Sequence, residues 1–262
     1  MRFGLLLSAL AAAGLMGAAA LAQTPAPLQG YLAAGEGVDG VRLLPPPPAP
    51  ASGRQADDTA IFAATRALQG QPRWDLAAHD ADLRTDQVLG DFACALGVSL
   101  DEHNAPTVVT LLRRSGLDGR AAVDPPKDHY ARPRPYQVTD APTCVPKSDA
   151  LAKSASYPSG HAAVSWAWGL ILAELAPDRA SDVLMRARSI GESRIVCGVH
   201  YLSDVEAGRD LGAALVARLH ADPAFRADLD KARAEVEAAR QTPHVGAGEC
   251  LVQDQAAAHP PY

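Results

Sequence analysis

The spacing of apolar residues restricts this fold more than any other feature of the sequence. From Asp57 to Arg240 they recur every three or four positions, and no run alternates apolar with polar for more than a few residues. A half-buried strand needs a period of two and a core-facing helix a period near 3.6, so the chain reads as all-α. Asp57-Asp58-Thr59 offers a cap for a helix through Ile61, Phe62, Thr65 and Leu68, with Gly70 as its stop. Helical spacing resumes at Trp74 and continues through Leu83, Val88, Leu89, Phe92 and Leu96 to Gly97. Ser99 and Glu102 have the form of a capping box for a helix carrying Val108, Val109, Leu111 and Leu112. Pro125, Pro126, Pro133, Pro135, Pro142, Pro146 and Pro158 predict mostly loop over 118–158. Further helices are predicted from Ser159 to Leu175, beyond Pro177, and from near His200 to Leu219. Phe225 to Arg240, rich in Ala, Glu, Arg and Lys, reads as an exposed terminal helix.

Outside the periodic region the composition changes. Met1-Arg2 followed by a Leu/Ala/Gly/Met run ending in Ala20-Leu21-Ala22 has the pattern of a secretory signal peptide cut after Ala22. Residues 23–54, with the run Pro45 to Pro48, predict a non-helical arm that wraps the surface or stays extended. One helical domain over 55–240 and a tail over 241–262 complete the expected organisation. No later stretch approaches the length of a membrane helix, so a soluble, exported mature chain (periplasmic or secreted) is expected. Export puts Cys94, Cys144, Cys197 and Cys250 in an oxidising setting, where disulfides outrank a metal site. Of the three pairings, Cys94–Cys144 and Cys197–Cys250 are favoured, the second tying the tail to the fold. The 30 acidic residues exceed the 24 basic ones. With a net charge of -6, that balance argues against a general nucleic-acid binder, which needs a basic face.

Three short blocks carry chemistry: Lys127 with Arg134-Pro135 seven positions on, Pro158-Ser159-Gly160-His161, and Ser193-Arg194 followed by His200 and Asp204. The second lies where a loop becomes a helix, so the amides of Ser159, Gly160 and His161 would be free donors at the positive end of a helix dipole. His161 would stand beside the bound anion, able to donate a proton. His200 and Asp204, four apart, would share a helix face, with the carboxylate holding one imidazole nitrogen and freeing the other as a nucleophile. Lys127, Arg134 and Arg194 supply cations, and guanidinium forks match phosphate oxygens. Together these describe phosphoryl transfer through a histidine. His129 is expected to pack or hydrogen-bond, and His79, His103, His220, His244 and His259 to be structural or solvated.

These blocks resemble the signature of the type 2 phosphatidic acid phosphatase superfamily, which includes vanadium haloperoxidases and bacterial acid phosphatases. Lys127-Asp128-His129-Tyr130, Ser156 to His161 and Ser193 to His200 resemble the class A bacterial nonspecific acid phosphatases, with similarity over roughly residues 85–240. The resemblance implies an all-helical bundle, usually a homodimer, that needs no metal or cofactor and hydrolyses small-molecule phosphate monoesters. It implies no membrane partner once the signal is removed. It further implies His200 as nucleophile, Asp204 orienting it, and His161 as general acid. Lys127, Ser159, Gly160, Arg134 and Arg194 would hold the phosphoryl group. A haloperoxidase using vanadate, or a soluble lipid phosphatase, is the alternative within the same superfamily. Ala155 and Ala162 stand where the family often has Gly and Thr. Arg132 is expected as a surface cation near the pocket mouth.

Overall fold

The computed structural model describes residues 27–242 and, beyond that span, Met1, Val245, Cys250, Gln253 and residues 260–262. The expected signal peptide over 1–22 therefore lies almost wholly outside the described residues, as do His244 and His259. The helices in chain order are α1 (Gly40–Leu43), α2 (Gly53–Thr65), α3 (Pro72–His79), α4 (Thr85–Leu96), α5 (Pro106–Tyr130), α6 (Pro135–Val138), α7 (Asp149–Lys153), α8 (Gly160–Leu175), α9 (Ala180–Val196), α10 (Leu202–Leu219) and α11 (Pro223–Ala239). Short 3₁₀ turns at Arg66–Leu68 and Pro177–Arg179 follow α2 and precede α9. Among the described residues there is no strand, as the apolar period requires, and no helix long and apolar enough to cross a membrane.

Helix α8 lies at the centre, packed against α5, α9 and α10. Beyond His161 its only charged residue is Glu174, and a helix apolar on all sides has to be surrounded. Two glycines of α10 set how close the neighbour comes. A Cβ on Gly208 would stand 2.5 Å from the Ser159 carbonyl oxygen, and one on Gly212 would collide with the Ala163 carbonyl. Backbone contact at these points locks the start of α8 against the middle of α10, beside the candidate site.

Several expectations need correction. Residues 118–130 are not loop, because α5 runs through Pro125 and Pro126 to Tyr130. An interior proline costs a helix about 3 kcal/mol. Here Ala122, Val123, Pro126 and Lys127 are buried in the same turns, and Ala122 and Val123 join a cluster with Leu44, Tyr157, Ala163 and Leu211. Their burial outweighs that cost, and the helix ends only at Ala131, in the left-handed region (φ 47°). Ser99 and Glu102 form no capping box, since α5 begins at Pro106 and the amides of Thr107 and Val108 donate to the Glu235 carboxylate of α11. Helix α2 starts at Gly53, capped by Ser52, and the segment from Trp74 to Leu96 is two helices. Helix α11 is not merely exposed: Phe225, Leu229, Ala232 and Val236 are buried.

The proline-rich arm wraps the surface. The Tyr31 and Leu32 amides donate to Asp118 at 2.8 and 3.1 Å, and Tyr157 Oη donates to the Pro45 carbonyl at 2.7 Å. The arm is helical for one turn, α1, capped by Asp39 and ended before the proline run. The disulfides are Cys94–Cys250 and Cys144–Cys197, not the favoured pairing. Cys144 lies beside the end of α9, its amide donating to the Cys197 carbonyl at 3.1 Å, so the tail is tied to α4 instead.

Candidate active site

Arg194 and His200 are brought together by a chain reversal. Helix α9 ends at Val196, and Gly198 adopts φ 78°. A side chain at Gly198 would be strained and would stand 2.9 Å from the Pro142 carbonyl oxygen. The turn sends the backbone back so that the amides of Val199 and His200 both donate to the Arg194 carbonyl, at 3.2 and 3.3 Å. The two side chains thereby face one cavity of about 740 Å³, lined at its base by Lys127, Arg134, Gly160, His161, Arg194 and His200.

His200 precedes α10 rather than sharing a face of it with Asp204. Asp204 is the third residue of α10, and its Oδ2 accepts the Tyr201 amide at 2.8 Å and the Ser156 hydroxyl at 2.5 Å. The same oxygen stands 3.4 Å from His200 Nδ1. On the other side of the ring, Arg134 Nη1 lies 3.0 Å from Nε2. A guanidinium only donates, so Nε2 is the acceptor and the ring proton sits on Nδ1, toward Asp204. The Nε2 lone pair is directed at Arg134, itself a wall of the cavity, and is released for attack only when that guanidinium turns to the phosphoryl group.

The cations are held in different ways. Arg134 is cradled by backbone carbonyls, donating to Ser154 and Val199 at 2.8 Å and to Leu151 at 3.0 Å. Lys127, in the last turn of α5, donates to the Ala155 carbonyl. Burial, aided by Arg134, pushes its ammonium down to about 7. Arg194 is buried with Nε and Nη1 unpaired, and burial next to Arg134 lowers it to about 10. Unpaired guanidinium donors in a buried cluster of like charges call for an oxyanion.

Ser159 caps α8 through its hydroxyl, which accepts the Ala162 amide at 3.3 Å, while its own amide donates to the Asp204 carbonyl at 2.9 Å. Ser159 is therefore not a free donor. The amides left at the positive end of α8 are those of Gly160 and His161, to which no helix carbonyl corresponds. His161 Nε2 donates to the Ala81 carbonyl at 3.0 Å, which leaves Nδ1 for chemistry. Burial, then Arg194, Arg134 and Lys127, hold His161 well below its usual range. Burial and the same cations do the same to His200.

Sequence reasoning missed Ser156, Asp58 and Ala81. It also misplaced Arg132, which is buried behind His200 between Asp204 and Asp58. His129 is exposed, its ring edge-on to Tyr130. His79 and His220, expected to be structural or solvated, pair with Asp91 and Glu174.

Residues 108–227 match the PAP2 superfamily. An acid phosphatase of Zymomonas mobilis is 44% identical over 79% of this chain and 78% of its own. Non-specific acid phosphatases of Providencia stuartii and Salmonella typhimurium are 39% and 36% identical, over 78% and 77% of this chain and 84% and 81% of theirs. Identity of this order across most of both chains settles descent: the chain belongs to the PAP2 superfamily, in its branch of bacterial acid phosphatases.

Proposed function

We propose that the protein is an acid phosphatase that hydrolyses phosphate monoesters of varied structure through a phosphohistidine at His200. The observation that carries this is His200 itself, its Nε2 carrying the lone pair at the wall of a cavity with three buried cations and its Nδ1–H toward a carboxylate. Attack by Nε2 forms the N–P bond as the ester P–O bond breaks, and the departing oxygen takes a proton from His161 Nδ1. His161 then removes a proton from water, the hydroxide attacks phosphorus, and inorganic phosphate leaves with the His200 lone pair restored. Arg134, Arg194, Lys127 and the Gly160 amide stabilise the charge on the equatorial oxygens. Ser159 supports this binding segment by capping α8.

The pH dependence follows. His161 must be protonated, yet burial and three cations oppose its charge until the phosphoryl anion arrives, so kcat/KM rises toward acid pH. The charge a metal would otherwise supply comes from the chain, and chelators should leave the rate unchanged. The expected signal peptide supports export, and the family resemblance supports a homodimer. The test is His200→Ala assayed on nitrophenyl phosphate: turnover should vanish while inorganic phosphate still binds. Turnover at the unsubstituted rate would refute the mechanism.

A further inference from the structure

Behind His200, on the side away from the cavity, lies a buried ionic cluster larger than the Asp204 carboxylate the mechanism uses. Arg132 Nη1 donates to Asp204 Oδ1 at 2.5 Å and to Ser203 Oγ at 2.8 Å. Its Nη2 donates to Asp58 Oδ2 at 2.8 Å and to Gln55 Oε1 at 2.6 Å. Asp58, from α2, is fixed by the Ser203 amide at 2.9 Å and by the Ser203 hydroxyl. The guanidinium lies 4.3 Å from the centroid of the Tyr201 ring. Asp58, Arg132 and Asp204 are 2%, 7% and 0% exposed, so water does little to screen them.

Two carboxylates and one guanidinium leave this cluster with one net negative charge, next to the ring that becomes cationic on attack. Buried ion pairs add little to stability over apolar side chains of the same volume, so strengthening the fold is a poor account of such an arrangement. Its charge matches a task instead. While Nε2 is bonded to phosphorus and Nδ1 keeps its proton, the ring carries a positive charge that the cluster offsets. Without Arg132, Asp204 would be held through Oδ2 alone, by the Tyr201 amide and the Ser156 hydroxyl, and Oδ1 would be buried without its cation.

We propose that Arg132, clamped by Asp58, is a positioning residue for phosphoryl transfer: it holds Asp204 in the orientation and charge that keep the His200 proton on Nδ1 and the lone pair on Nε2. This rests on the reading of His200 as the nucleophile. The test compares Arg132→Met, Arg132→Lys, Asp58→Asn and His200→Ala with the unsubstituted enzyme. It reads the nitrophenol burst that reports phosphoenzyme formation, competitive inhibition by inorganic phosphate, and the melting temperature. Arg132→Met should slow phosphoenzyme formation about 100-fold, in the range seen when the partner of a reactive histidine is removed. Phosphate inhibition should shift far less, because the cavity cations are untouched. Arg132→Lys should recover about tenfold of that loss by restoring the charge, and Asp58→Asn should be slowed about tenfold. A burst at the unsubstituted rate in Arg132→Met would overturn the proposal. If that variant does not fold, the same result in both Arg132→Lys and Asp58→Asn would do so. A fall in phosphate affinity as large as the fall in rate would also overturn it, because it marks general damage to the site. An active His200→Ala would instead overturn the nucleophile assignment, whereas an inactive His200→Ala beside a fast Arg132→Met removes only the role of Arg132.

Discussion

At the residue scale, the chemistry is set by which nitrogen of each histidine is occupied. Arg134 meets Nε2 of His200 only as a donor, so that nitrogen carries the lone pair, and the Ala81 carbonyl meets Nε2 of His161 only as an acceptor, so Nδ1 is the nitrogen at which His161 takes up and releases its catalytic proton. If His161 protonates the departing oxygen, its loss should hurt poor leaving groups most. His161→Asn should reduce kcat/KM by about 10²–10⁴ for alkyl phosphates and distinctly less for nitrophenyl phosphate, whose oxygen leaves without help. Equal losses across a leaving-group series would remove His161 from that role. Most of these residues were legible in the sequence because their spacing reflects local geometry: Arg194 and His200 are six apart because one tight turn at Gly198 closes that gap. Asp58 was not, because its link to Arg132 spans 74 positions and exists only once α2 is packed.

At the scale of elements, long helices with a clear apolar stripe were legible, and ends were not. Helix α5 breaks the rule that paired prolines stop a helix, since burial of its last turns outweighs the lost backbone bonds. Its start is equally non-local, since Glu235 reaches across from α11 to accept the amides of Thr107 and Val108. No pattern within residues 99–106 could have shown this. Glu235→Ala should cost about 1 kcal/mol, the usual value of a helix cap, and lower the melting temperature while leaving kcat unchanged. An unaltered melting temperature would show that water caps the helix as well.

For the molecule as a whole, the site is built at the expense of stability. His161 and His200 both sit well below 6.5 in the folded state. Below pH 6.5 the unfolded chain binds protons that the folded one refuses, so stability falls as pH drops, by at most about 1.4 kcal/mol per histidine per pH unit. Lys127, at about 7 against 10.5 when free, acts in the same sense between those values. The raised carboxyls of Asp91, Asp118 and Glu192 act oppositely, from their free values upward, and oppose the two histidines and Lys127 where the ranges meet. The melting temperature should therefore fall from pH 6.5 toward 5 (a range bounded by the free histidine and carboxyl values). Sulfate, a tetrahedral dianion whose charge is constant there, should flatten the fall by occupying the cation cluster. A melting temperature that rises over this range without sulfate would contradict the assigned burial of both rings.

The most direct measurement is to mix the enzyme with substrate, quench in alkali, where phosphohistidine survives, and locate the phosphoryl group by mass spectrometry of the digested chain. The peptide bearing His200 should carry it, and the label should disappear on chase with water. A phosphoryl group on any other residue, or none at any time during turnover, would contradict the account.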